Sequence, residues 1–135
     1  MSDVFADTNY WVALTDPRDQ WNSAALAAAR SLAPRRLVTT DEVLTEFLAF
    51  FAERGRHFRE VATLTVRSIL QDRSVEVVPQ THDSFLTALA YYESRPDKGY
   101  SLTDCVSMSV MRVRGLTDVL TNDEHFRQEG FRTLL

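Results

Sequence analysis

Four acidic residues occupy positions in this sequence from which carboxylates could act together in catalysis or metal binding. They are Asp7, Glu46, Asp104 and Asp123. Asp7 and Asp123 each follow a short apolar stretch, with threonine and asparagine beside them. Asp104 opens a segment without charge from Cys105 to Met111. Carboxylate oxygens are the ligands that Mg²⁺ and Mn²⁺ prefer, so a shared site for either ion is the chemistry that these residues could support.

Each of the four also has a simpler role when it is considered alone. Asp7 and Asp123 could cap the helices that follow them, and Asp104 could form a capping box with Ser101. Glu46 falls at the rim of the apolar face of its predicted helix, where a glutamate can extend to water. Considered together, carboxylates 4 Å apart repel by about 4 kcal/mol per pair at an effective dielectric near 20. A cluster of them would therefore persist at neutral pH only around a cation.

Alternating strand and helix patterns indicate that a parallel sheet carries these residues. The predicted strands cover residues 4–6, 37–39, 75–78, 119–121 and 131–134. The predicted helices begin near Asn9 and then cover residues 20–32, 41–54, 56–71, 81–94, 102–114 and 123–129, with Pro34 ending the second of them. Ligands of such sheets bind at the carboxyl ends of the strands. Asp7 and Asp123 are therefore expected at one edge, with the buried helix of Asp104 opening close to it.

Four short motifs occur in order along the chain. They are Asp7-Thr8-Asn9, Glu42-Val43-Leu44-Thr45-Glu46-Phe47, Ser101-Leu102-Thr103-Asp104 and Thr121-Asn122-Asp123-Glu124-His125-Phe126. In order and in chain length they resemble the PIN-domain nucleases, and among these the VapC-type toxin ribonucleases of bacterial toxin–antitoxin pairs. The resemblance implies an α/β fold of three layers (α/β/α) around a central parallel sheet of four or five strands.

The resemblance also implies a function and a set of site residues. An acidic pocket of Asp7, Glu46, Asp104 and Asp123 would bind one or two Mg²⁺ or Mn²⁺ ions and cleave RNA phosphodiesters by metal-activated water. Supporting positions would be Thr8, Asn9, Thr121 and Asn122. Glu46 could be a direct ligand, an outer group or the base for the water, and the role of Glu124 stays open. Besides RNA, the implied partners are an inhibitory antitoxin protein and a second copy of the chain in a homodimer.

A basic cluster between two predicted helices is a second candidate contact for RNA. It consists of Arg54, Arg56, His57 and Arg59 around Gly55. Arginine suits phosphate, but cations also favour helix C-termini, so a solvated turn is the alternative. The three histidines, His57, His82 and His125, lack the spacing of a metal site and are predicted to be surface residues.

Length, charge and cysteine content restrict the class of protein. The 135 residues predict a single domain, 1–135, with a core of its own. The net charge of −4 argues against non-specific binding along nucleic acid, although bound metal ions could supply the positive charge that a nuclease needs. The lone Cys105 predicts core packing and a reducing cytoplasm. No stretch approaches the roughly 20 apolar residues of a membrane span, and a signal peptide is not expected.

Three other functions are alternatives for the same residues. The first is a nuclease of the same family that acts in RNA maturation or decay. The second is a catalytically silent binding module, which is disfavoured because all four acidic positions are filled. The third is a metal-dependent phosphatase of the HAD type, which would need an aspartate at position 9, where this chain has Asn9.

Overall fold

Five parallel strands form one sheet in the computed structural model, which describes residues 2–33 and 35–135. The strands are β1 Val4–Ala6, β2 Leu37–Thr40, β3 Val75–Val78, β4 Asp118–Leu120 and β5 Arg132–Thr133. Their order across the sheet is β3-β2-β1-β4-β5, and every neighbouring pair is parallel. The predicted fold class is confirmed, and the sheet has five strands.

Helices cover both faces of the sheet. They are α1 Thr8–Thr15, α2 Asn22–Leu32, α3 Asp41–Phe51, α4 Gly55–Gln71, α5 His82–Glu93, α6 Leu102–Arg114 and α7 Glu124–Gln128. Right-handed crossovers between parallel strands place α1 to α4 on one face and α5 to α7 on the other. The packing agrees, because α1 contacts α2 and α3 while α5 lies along α6. These layers are the α/β/α arrangement that the resemblance implied.

The central strand β1 lies where the strand order changes direction. From β1 the chain proceeds outward through β2 and β3, and it then returns to place β4 on the other side of β1. Val4, Phe5 and Ala6 are fully buried. Ligands of open α/β sheets bind in the crevice beyond the carboxyl ends of the strands at such a switch point. The fold therefore directs attention to the residues that follow β1 and β4.

Several predicted boundaries differ from those observed. The third helix was predicted to reach Arg54 but ends at Phe51, because the chain turns there and Gly55 adopts a φ of +90° that favours glycine. Helix α4 starts at Gly55, one residue before its predicted start. The predicted helix stop at Pro34 lies outside the described residues. Within the part of the chain that the structure describes, every helix is too short or too polar to cross a bilayer.

Candidate active site

A cavity of about 510 Å³ opens beyond the carboxyl ends of β1 and β4. Its polar lining includes all four of the predicted acidic residues and two of the predicted supporting residues: Asp7, Thr8, Asn9, Glu46, Asp104 and Asp123. Residues up to 116 positions apart in sequence thus meet in one place. Their roles in catalysis remain predictions, but their convergence is a property of the fold.

Asp7 is held by the strand register rather than by helix capping. It occupies the N-cap position of α1, yet its carboxylate makes no capping hydrogen bond to that helix. Ala6 pairs with Leu120 in the sheet, so the next residues, Asp7 and Thr121, lie side by side. The Thr121 hydroxyl donates a hydrogen bond of 2.9 Å to Asp7 Oδ2 and accepts one of 3.1 Å from the Asp123 backbone N–H. One hydroxyl therefore links two of the acidic residues.

Burial changes the acidity of Asp7. Only 4% of the residue is exposed, and the loss of hydration raises the pKa of its carboxyl to about 7. The nearby Thr8 backbone N–H and the hydrogen bond from the Thr121 hydroxyl oppose this effect, while the charges of Asp104 and Glu46 add to it. A carboxylate that is so poorly compensated by the protein alone is a suitable ligand for a cation.

Asp104 combines the simpler role with a place in the cavity. Its backbone N–H donates to the Ser101 hydroxyl and its Oδ2 accepts from the Ser101 backbone N–H, both at 3.0 Å, so the capping box is present. Burial raises the pKa of Asp104, and the nearby charge of Asp123 adds to this rise. The capping box therefore fixes the orientation of a side chain that lines the cavity.

Asp123 caps α7 and stands beside a histidine. Its Oδ1 accepts a hydrogen bond of 2.9 Å from the His125 backbone N–H. The His125 ring nitrogen Nδ1 lies 3.3 Å from Asp104 Oδ2 and 3.4 Å from Asp123 Oδ1. The His125 side chain is 32% exposed, so its predicted place at the surface holds in part, but its contact with two acidic residues was not predicted. The spacing Asp-x-His directly after a strand was the signal that could have identified it.

Of the two glutamates considered for the site, Glu46 lines the cavity and Glu124 does not. Glu46, an exposed residue of α3, lines the cavity from the side of the sheet that carries α1. Glu124 is exposed and pairs with Arg127 at 3.1 Å, outside the cavity lining. Glu46 is thus positioned to meet water or substrate at the mouth of the cavity.

Two supporting residues join the loops that carry the acids. The Asn9 side-chain amide donates a hydrogen bond of 3.0 Å to Asn122 Oδ1, across 113 positions of sequence. This contact ties the start of α1 to the loop between β4 and α7. It helps to hold Asp7 and Asp123 at a constant separation.

A fifth acidic residue, Asp19, also lines the cavity. It belongs to the loop between α1 and α2, where its Oδ1 accepts a hydrogen bond of 2.8 Å from the Trp21 backbone N–H. The sequence places Asp19 in a turn-like segment, but no periodicity or strand end directs that turn toward the cavity. Only the three-dimensional path of the loop brings it there.

The predicted basic cluster divides between two places. The Arg54 guanidinium lies 4.1 Å above the ring of Phe50, which lines the acidic cavity. Arg56 and Arg59 instead line a separate groove along α4, where Arg56 pairs with Glu60 and Arg59 donates to the Ala52 carbonyl. Of the three predicted RNA contacts, Arg54 is the one beside the site.

The cavity fits a hard divalent cation. Thr8 lines the cavity, and its buried hydroxyl oxygen has no hydrogen-bond partner among the described residues. A buried polar atom of this kind calls for a ligand, since leaving it unpaired costs free energy. The surrounding donors are mainly carboxylate oxygens, which suit Mg²⁺ or Mn²⁺. The residues present are therefore compatible with the divalent-metal site that the fold implies.

The hydroxyl of Thr121 offers a direct test of how the site is organised. We expect Thr121→Val to lower RNA cleavage by about 10–100-fold, the usual loss when an outer partner of a metal ligand is removed. Thr121→Ser retains the hydroxyl and should cleave at close to the wild-type rate. Single-turnover cleavage rates of the two variants provide the measurement. Equal rates for valine and serine would contradict a role for this hydrogen bond.

Comparisons with known proteins agree with this geometry. The profile of the PIN domain family matches residues 4–131. The 23S rRNA-specific endonuclease VapC20 of Mycobacterium tuberculosis is 27% identical over 128 residues, which cover 95% of each chain. Its crystal structure, described as that of a sarcin–ricin loop cleaving toxin, superposes with a TM-score of 0.85 at 26% identity, again over 95% of each chain. VapBC2 of Rickettsia felis, bound to promoter DNA, shares the fold at a TM-score of 0.70 and 14% identity over 97% of this chain and 96% of its own.

Proposed function

The chain belongs to the PIN domain family, and we propose that it is a Mg²⁺- or Mn²⁺-dependent endoribonuclease, the toxin of a toxin–antitoxin pair. The observation that carries the proposal is the meeting of Asp7, Glu46, Asp104 and Asp123 in one cavity at the switch point of the sheet. The similarity to VapC20 over nearly the whole of both chains supports the toxin assignment.

The acidic residues have different proposed roles, according to their burial and position. Asp7, Asp104 and Asp123 would hold the ion, because hydrogen bonds from the Thr121 hydroxyl and from the backbone N–H groups of neighbouring residues fix their carboxylates. A bound divalent ion supplies activation of water and neutralisation of phosphate charge. Glu46 is exposed at the cavity mouth, where it can accept a proton or contact the ion from outside. Thr121 orients Asp7, and Asn9 with Asn122 keeps the two loops together.

The RNA substrate enters from the open side of the cavity. The overall charge of −4 disfavours non-specific binding along RNA, so we expect local contacts to guide the phosphates. Arg54, stacked on Phe50 at the cavity rim, is positioned for such a contact. Because VapC20 is named for its action on 23S rRNA, this RNA and its sarcin–ricin loop are the first substrates to test.

Removal of the metal and of one ligand tests the activity. The purified chain should cleave RNA in Mg²⁺ or Mn²⁺ and lose cleavage in EDTA. Asp104→Asn should lower the rate by more than about 100-fold, because it removes a carboxylate that faces the cavity. Asp97→Asn, a change on an exposed loop, is the matched control. Cleavage that persists in EDTA or in the Asp104 variant would overturn the proposal.

The proposed partner is an antitoxin protein that covers the acidic cavity. The solved toxin–antitoxin complexes from Klebsiella pneumoniae and Rickettsia felis share the fold of this chain. A homodimer is part of the same proposal. Co-expression with the product of the adjoining reading frame, followed by size-exclusion chromatography with light scattering, would measure both assemblies. The alternative of a nuclease in RNA maturation would instead show no inhibitor of this kind and no growth arrest on expression.

A further inference from the structure

His125 stands between two of the acidic residues at distances that suit a shared ion. Its Nδ1 is 3.3 Å from Asp104 Oδ2 and 3.4 Å from Asp123 Oδ1. The contact with Asp104 also meets the criteria of a hydrogen bond, but charge-assisted hydrogen bonds from nitrogen to a carboxylate are usually shorter, about 2.7–2.9 Å. Ligand atoms on one ion with bonds near 2.1 Å are about 3.0–3.4 Å apart, depending on octahedral or tetrahedral geometry. One ligand atom from each of the three residues lies within 4.8 Å of the others.

The orientation of the imidazole ring is set by its surroundings. A Cβ placed on Gly99 would lie 3.5 Å from His125 Nε2, so this nitrogen faces the loop before α6. The Tyr100 ring packs edge-on against the imidazole at a centroid distance of 5.3 Å, and Tyr100 is itself buried. The Tyr100 hydroxyl donates to Glu129 Oε2 at 2.9 Å, which holds that ring in place. Nδ1 is therefore the nitrogen directed at the carboxylates.

A separate observation concerns an unpartnered hydroxyl at the same cavity. Thr8 lines the cavity with Asp104 and Asp123, and its buried Oγ1 has no hydrogen-bond partner among the residues described. Thr8 is only 8% exposed. Its position on α1 is independent of the loop that carries His125, so two different elements point to an occupant of the cavity.

We infer that His125 binds the divalent ion directly through Nδ1, together with Asp104 and Asp123, and that this nitrogen makes the site prefer Mn²⁺ to Mg²⁺. Imidazole suits transition-metal ions, whereas Mg²⁺ favours oxygen ligands. The inference rests on the proposed metal-dependent function and adds a ligand outside the four carboxylates. It also gives the ion a fixed donor on α7, next to Asp123.

Pulsed electron paramagnetic resonance of the Mn²⁺-loaded full-length protein tests the ligand assignment directly. The wild type should show hyperfine coupling from a bound imidazole ¹⁴N, and His125→Asn should lose it. His57→Asn, on the exposed surface of α4, is the control and should keep the coupling. In calorimetric titrations, His125→Asn should bind Mn²⁺ at least about tenfold more weakly, with a smaller loss for Mg²⁺.

Two results would contradict metal binding by His125 without contradicting the proposed nuclease function. If the wild type lacks ¹⁴N coupling, or if His125→Asn binds Mn²⁺ as tightly as wild type, the side chain only hydrogen-bonds the carboxylates. The wild-type spectrum decides the matter even if a variant fails to fold, which circular dichroism would reveal. Either outcome leaves RNA cleavage by the wild type intact. Failure of the proposed function would instead appear as wild-type protein that cleaves no RNA with either ion.

Discussion

Asp7→Asn is expected to abolish RNA cleavage while making the metal-free protein more stable. The activity should fall by more than about 100-fold, since even an outer partner of a metal ligand costs about 10–100-fold. The stability should rise because asparagine keeps the shape and can still accept the Thr121 hydrogen bond. Asparagine also removes the negative charge from position 7, where only 4% of the residue is exposed to water. Loss of function with gain of stability separates a catalytic residue from a structural one.

The pH dependence of this effect follows from the raised pKa of Asp7. The folded protein holds the pKa near 7, above its ordinary value of 3.8, so folding favours the protonated carboxyl. The favourable contribution of Asp7 to the free energy of unfolding is complete below about pH 4 and is lost as the pH rises through 7. Above pH 7 the charged form costs on the order of 4 kcal/mol. In metal-free buffer at pH 8, Asp7→Asn should melt about 10–20 °C above wild type, and the difference should shrink toward pH 4.

Thermal melts with and without metal provide the control for Asp7. Added Mn²⁺ should stabilise the wild type, because an ion that binds only the folded state shifts the equilibrium, and it should stabilise Asp7→Asn much less. Asp97→Asn should behave as wild type in both buffers. A variant at position 7 that is less stable than wild type at pH 8, or that still cleaves RNA, would contradict the role assigned to Asp7.

Glu129→Ala is expected to be strongly destabilising, although Glu129 lies outside the cavity. The Glu129 carboxylate accepts hydrogen bonds from two arginines and two tyrosines at 2.5–3.2 Å: Arg95, Arg112, Tyr91 and Tyr100. Its side chain is 9% exposed. Removal should cost about 3 kcal/mol, the lower end of the range for a buried ion pair, because both arginines remain partly in water. Urea unfolding is the measurement, with exposed Glu93→Ala as the control.

The acid side of the stability curve tests the same cluster. Burial works against the charge of Glu129, but the hydrogen bonds from the arginines and tyrosines outweigh it and lower the pKa to about 2. A carboxyl whose pKa is below its ordinary value of 4.5 contributes stability that is complete above pH 4.5 and is lost as the pH falls through 2. In the Glu129→Ala variant, the free energy of unfolding should therefore fall less steeply than in wild type as the pH is lowered from 4.5 to 2. Equal acid sensitivity in wild type and variant would contradict this assignment.

Because Tyr100 packs on His125, the same variant should also weaken metal binding.

Local patterns in the amino-acid order were sufficient to predict a parallel sheet and the edge that carries the site, whereas the three layers were implied by the family resemblance. Strands recognised from short apolar runs alternate with helices, and parallel strands have their carboxyl ends at one edge. Asp7 and Asp123 could therefore be placed together, with Asp104 at the start of α6. The helix boundary near Arg54 was less accurate, because a turn of three residues before Gly55 leaves little trace in the apolar pattern.

The chemistry inside the cavity depends on contacts between segments more than 100 residues apart. The register of β1 against β4 sets Thr121 beside Asp7, and burial between them raises the pKa of Asp7. The path of a loop brings Asp19 to the cavity, and the packing of Tyr100 turns His125 toward two carboxylates. Desolvation and ligand distances arise only when distant segments pack together. Residue types along the chain can therefore identify the acidic residues of this site. The protonation of these residues, their hydrogen-bond partners and the contact with His125 are decided only by the folded structure.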